Sequence, residues 1–164
     1  MKIKVFATIL SIAFLAVQSP AVARDFFSDL SGQWSGSGQA YLKKVGDISA
    51  NCKLSVNDGD RNVSMMGNCR FLLFRQSLGL NLKTAGGGRV TGTYSGARTG
   101  PAQLSGTVKG DRLVLAVTWG GVVNGDRKAQ MVLRRTGQNT FEQTVVDQVN
   151  GATKTTSQFA FKRN

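Results

Sequence analysis

From Gln33 to the C-terminal end the chain alternates between small or apolar and polar side chains with a period of two. That period belongs to strands with one buried face, and no stretch of it fits the 3.6-residue repeat of a helix. Trp34, Gly36, Gly38, Ala40 and Leu42 share one face, and Ser35, Ser37, Gln39 and Tyr41 the other. Ala50, Cys52, Leu54 and Val56 repeat the pattern, as do Val90-x-Gly92-x-Tyr94 and Leu104-x-Gly106-x-Val108. Further on come Leu113, Leu115, Val117 and Trp119, then Ala129, Met131 and Leu133, then Phe159 and Phe161. The separators are turn chemistry. Asp58-Gly59, Asn124-Gly125 and Asn150-Gly151 are pairs that tolerate two positive φ values in a type I′ hairpin, and Gly86-Gly87-Gly88 is a further break. The one helical feature expected after the N-terminal segment is a short turn at residues 25–30.

This spacing predicts nine or ten short strands in an all-β fold. The expected architecture is a single antiparallel up-and-down β-barrel of about 8–10 strands, with a β-sandwich as the alternative. Closure removes exposed sheet edges, which suits a chain with no prolines in its strands. Glycines inside the strands, such as Gly36, Gly38, Gly92 and Gly106, suit sharp bending or close backbone approach.

Residues 50–56 and 63–70 flank Asn57-Asp58-Gly59-Asp60 and form an expected hairpin. In that register Cys52 faces Cys69, the two cysteines of the chain. A disulfide between them closes a loop of about 17 residues and stabilises by roughly 3 kcal/mol. No C-x-x-C is present, so the expected bridge is structural rather than redox-active.

Residues 1–23 read as a secretory signal, followed by one barrel domain at 24–164. Lys2 and Lys4 precede the apolar run from Val5 to Val17, and Ala21-Val22-Ala23 is a small-x-small cleavage site. The run is shorter than the roughly 20 residues a membrane span needs. The expected location is periplasmic or secreted, where two cysteines pair. Loss of Lys2 and Lys4 would lower the net charge from +12 to +10.

The composition limits the chemistry. With no histidine there is no Ser-His-Asp triad, Cys-His dyad or His-ligated zinc site. Glu142 is the single glutamate. Asp58, Asp60 and Asn62 have the spacing of a calcium loop, but Val63 replaces its glycine and Cys69 its bidentate Glu. Gly86-Gly87-Gly88-Arg89 lacks the Lys-Ser/Thr of a P-loop. Asp147 shares a strand face with Val145 and is expected to point inward, paired with Arg70, Arg75 or Arg134. No catalytic residue, metal or cofactor is expected, and the chain reads as a binding module rather than an enzyme. The positive charge peaks at Lys43-Lys44, Arg127-Lys128 and Arg134-Arg135 without a nucleic-acid motif, which makes an anionic envelope surface an expected partner.

The stretch Leu30-Ser31-Gly32-Gln33-Trp34-Ser35-Gly36 resembles the first strand of calycin barrels, the lipocalin and avidin group, whose G-x-W tryptophan plugs one barrel end. The resemblance implies a basic residue from the last strand on that indole, here Lys162 or Arg163. Val90-Thr91-Gly92-Thr93-Tyr94 and Phe159-Ala160-Phe161-Lys162 are similar to later avidin strands. The avidin biotin site needs several tryptophans. This chain has Trp34 and Trp119 alone, and Met131 where another is expected, so the resemblance implies a barrel without that site. A related family of secreted barrels inhibits metalloproteases with an N-terminal tail, here Arg24-Asp25-Phe26-Phe27-Ser28; otherwise Phe26 and Phe27 cap one barrel end. The expected function is a small hydrophobic or amphipathic ligand held by Trp34, Tyr94, Leu115, Trp119, Met131 and Phe159. The alternative is a protease-inhibitor-like or envelope structural protein acting through protein contacts.

Overall fold

The computed structural model describes residues 26–164; the expected signal sequence at residues 1–23 lies outside them. Ten antiparallel strands form a closed up-and-down barrel, each paired with its chain neighbours and the last with the first. They are β1 (Gly32–Leu42), β2 (Gly46–Asp58), β3 (Asn62–Arg70), β4 (Arg75–Thr84), β5 (Arg89–Ser95), β6 (Ala102–Lys109), β7 (Arg112–Val123), β8 (Asp126–Gly137), β9 (Thr140–Val149) and β10 (Ala152–Arg163). The barrel, not the sandwich, is the fold. β4 completes the set, through an alternation of Leu78, Leu80 and Leu82 with Ser77, Gly79 and Asn81.

The residues assigned to inward faces by period two are the buried ones. Leu113, Leu115 and Val117 are at most 2% exposed, whereas their outward neighbours Ala116 and Thr118 are exposed. Cys52 faces Cys69 in the β2–β3 ladder, and the two are bonded. Asn124 and Asn150 adopt positive φ, followed by Gly125 and Gly151, which also do. Asp58-Gly59 departs from that expectation, because neither residue has positive φ. The hairpin turns instead through residues 59–61, with the Gly59 amide donating to the Asn62 carbonyl at 2.8 Å. Asp58 is held in extended backbone because its carboxylate accepts the Ser31 hydroxyl and the Leu30 amide.

One barrel end is closed. Residues 26–29 form a helical turn over it, and Phe26, Phe27 and Leu30 are buried. Phe26 and Phe27 thus cap a barrel end. Arg135 fixes this segment by donating to the Phe26 and Ser28 carbonyls. A free tail reaching into a protease cleft is not the conformation of residues 26–28; Arg24 and Asp25 lie outside the described residues. Trp34 is the plug. Its indole N–H donates to the Leu30 carbonyl at 2.9 Å, and the Arg163 guanidinium lies 4.9 Å from its ring centroid. Parity explains why the cation is Arg163 and not Lys162. Residue 163 shares the inward face of Phe159 and Phe161 and pairs with Trp34, while Lys162 points outward. Phe141 packs on Trp34 edge-on at 4.9 Å, and Phe161 stacks on Phe141 at 4.7 Å. Gly36 makes room for this layer: a Cβ there would collide with the Phe161 ring and the Ala160 carbonyl.

Candidate functional site

Above the aromatic layer the barrel is hollow. A cavity of about 750 Å³ runs from Phe141, Phe159 and Phe161 at its floor to the loops at the open end. Its size is that of a small-molecule site. The wall is mostly apolar and includes Met131, Leu133 and the Cys52–Cys69 bridge. The disulfide therefore ties together two strands of the cavity wall.

The polar groups gather at the mouth. Asp147 near the end of β9 points inward, as its parity with Val145 requires, and is 3% exposed. Among the described residues, no arginine pairs with it. Arg134 faces outward and pairs with Glu142 across the β8–β9 ladder at 2.8 Å, which raises the Arg134 pKa through that hydrogen bond and charge. Arg70 and Arg75 are exposed at the barrel rim. The partner of Asp147 is Asn124, whose side-chain amide donates at 3.2 Å, together with the Gln148 backbone amide at 2.8 Å. Burial raises the Asp147 pKa above its ordinary value, and these donors only partly oppose the effect. The carboxylate is hidden from bulk solvent, yet protein atoms do not pack it on every side, because it faces the cavity.

Trp119 belongs to the same cluster. It sits where the β7–β8 pairing loses register between Thr118 and Val123. Arg127 Nε holds the irregular segment by donating to the Trp119 carbonyl at 2.9 Å. Gly120 permits the bend to press against the neighbouring loop, since a Cβ there would strike the Thr99 carbonyl. The Trp119 indole N–H lies near the Asp147 carboxylate and favours its charged form, yet it makes no hydrogen bond of ordinary geometry. The Thr99 hydroxyl is also buried without a hydrogen-bond partner in the protein. Tyr94 packs edge-on against Trp119 at 6.2 Å, and burial raises its pKa.

Of the six residues expected to hold a ligand, Tyr94, Trp119, Met131 and Phe159 line this cavity. Trp34 lies beneath the floor, and Leu115 is fully buried in the barrel wall packing. Thr99, Asn124 and Asp147 complete the mouth. Period two places Asp147 on the inward face, but Thr99 and Asn124 are loop residues with no periodic signal. Among the described residues, no group of three His, Cys, Asp or Glu side chains is placed to hold a metal ion.

No family model matches the chain, and no curated protein matches it in sequence. Solved structures with the same fold include the following two. A crystal structure of Rv2717c from M. tuberculosis superposes with a TM-score of 0.66 at 15% identity, covering 89% of this chain and 99% of that one. The S-type phycobiliprotein lyase CPES from Guillardia theta superposes with a TM-score of 0.57 at 10% identity, covering 86% and 92%.

Proposed function

We propose that the protein is an exported binding module that carries one small neutral amphipathic molecule in its barrel. The observation that carries this reading is the pairing of a mostly apolar cavity with buried, under-satisfied polar groups at its mouth. A buried donor without a partner costs about 1–3 kcal/mol. A bound acceptor beside Trp119 Nε1 and Thr99 Oγ1 would recover that cost, and a bound donor would serve Asp147. A hydroxyl or amide head supplies both. The apolar body would lie against Met131 and Phe159, tail towards the aromatic floor. An anionic head is disfavoured next to Asp147, whose own charge is already poorly solvated. The disulfide is compatible with an oxidising compartment, periplasmic or extracellular.

Native mass spectrometry of protein purified from its own compartment tests this directly. A co-bound small molecule is expected, and Leu78→Trp, which fills the cavity from its wall, should lose it. Binding of a fluorescent long-chain alcohol should be saturable and tighter than that of the matching hydrocarbon. A clean unliganded mass together with no saturable alcohol binding would overturn the reading.

A further inference from the structure

The loops around the open mouth have a composition that the cavity does not explain. Leu72 and Leu73 are 96% and 90% exposed, at the tip of the β3–β4 connection. Val45, on the β1–β2 connection, and Val122, next to last in β7, are 68% and 65% exposed. With Phe74, five of the six large exposed apolar residues among the described residues are at this end; the sixth, Met66, is on the barrel side. The β3–β4 tip is a built feature. The Phe71 amide donates to the Phe74 carbonyl at 2.9 Å, and the two rings stack at 4.7 Å. This clasp holds Leu72 and Leu73 outward, whereas two of the other mouth turns, 124–125 and 150–151, use Asn-Gly.

Cations surround these tips. Residues 43–45, 70–75 and 96–101 contain Lys43, Lys44, Arg70, Arg75 and Arg98, all exposed, and no acidic residue. Three acids stand at this end, and the cations outnumber them. Asp47 pairs with Lys154 at 3.2 Å, the Asp126 carboxylate accepts the Lys128 amide, and Asp147 is inside the barrel. The connections of the closed end, by contrast, carry Asp29, Asp60 and Asp111 against one cation, Arg61, with Asp58 at the end of β2 beside them.

We infer that the open mouth docks on the surface of an anionic phospholipid bilayer. Leu72, Leu73, Val45 and Val122 would enter the headgroup layer, and the five cations would lie against lipid phosphates. Apolar insertion and a basic patch are the two signals that together give stable but reversible membrane attachment. The barrel itself stays outside the bilayer, because its outward strand faces present residues such as Lys53, Ser55 and Gln130 in place of an apolar band. In this pose the cavity opens onto the membrane, so an amphipathic molecule could pass between them without crossing water.

Vesicle flotation tests the docking with the mature protein, without reference to any cargo. The protein is expected to float with vesicles of phosphatidylcholine mixed with phosphatidylglycerol, and much less with phosphatidylcholine alone. Raising the salt should release it. Leu72→Asp with Leu73→Asp should lower the vesicle partition coefficient at least about tenfold, with the melting temperature unchanged because both side chains are solvent-exposed. Lys43→Glu with Lys44→Glu should lower it about tenfold as well. No flotation at low salt, equal binding to neutral vesicles, or full binding by the leucine variant would overturn the inference. So would dimerisation through the tips that the leucine variant abolishes while vesicles remain unbound. Flotation without a co-bound molecule would count against the carrier reading alone, and a co-bound molecule without flotation against the docking alone.

Discussion

The two tryptophans stand near opposite ends of one barrel and are treated in opposite ways. Trp34 is 1% exposed, its N–H is satisfied by Leu30, and its face is covered by Arg163. Trp119 is 6% exposed, its N–H lies near Asp147 without a hydrogen bond of ordinary geometry, and it borders a cavity. The closed end has the properties of a core, with close ring contacts and, Arg163 Nε apart, paired polar groups. The mouth keeps buried polarity that the protein does not fully satisfy. An arrangement of that kind lowers stability, and it is the usual form of a site awaiting a partner.

Truncation at the closed end should have the largest effect. Trp34→Ala removes the plug and should cost about 3–5 kcal/mol in urea unfolding; a loss below about 1 kcal/mol would erase the distinction between the two ends. The disulfide belongs to the cavity wall. Cys52→Ser with Cys69→Ser should cost roughly 3 kcal/mol under oxidising conditions, and an unchanged melting temperature would show that the bridge does not stabilise the fold. Trp119→Phe should change stability much less than Trp34→Ala. It removes the unsatisfied donor, and it should weaken binding of a fluorescent long-chain alcohol about fivefold. Equal affinity in the two proteins would remove Trp119 from the site.

Two aspartates give the subtlest contrast, read as melting temperature against pH. The Ser31 hydroxyl, with the Leu30 amide, holds the Asp58 pKa below the ordinary 3.8. Its charged form is favoured in the folded chain, so its contribution is complete above 3.8 and is lost as pH falls through the depressed value. Asp58→Asn should therefore melt lower than wild type at neutral pH, with the difference shrinking in acid. Asp147 has the opposite sign, because burial raises its pKa above 3.8. The folded state carries the cost of a buried charge at neutral pH. That cost is relieved as pH falls through the raised value towards 3.8. Asp147→Asn should melt higher than wild type at neutral pH, and the gain should vanish in acid. Two variants shifting in the same direction at neutral pH would contradict this assignment.

Much of the barrel is legible in the chain because period two is a local property. Each strand reports which residues face inward, and Asn-Gly pairs report where two hairpins reverse. The Cys52–Cys69 register follows from counting across one hairpin. Parity alone also places Asp147 inside and Arg163, rather than Lys162, at Trp34. The partner of Asp147 is a different matter. Counting charges suggests an arginine, but Arg134 faces outward to Glu142, and Asn124 arrives from a turn on another hairpin. The Trp119 bulge is equally hidden, since it depends on Gly120 meeting Thr99 across two loops.

The sequence by itself determined the strands, their buried faces, the disulfide register and the absence of histidine chemistry, because each is set by residue type and short-range spacing. Tertiary closure decided which end is sealed and which is open. It also set how much space remains above the aromatic floor and which polar groups meet at the mouth. Those depend on how ten strands curve around one axis and which loops then come together, distances that no local pattern encodes.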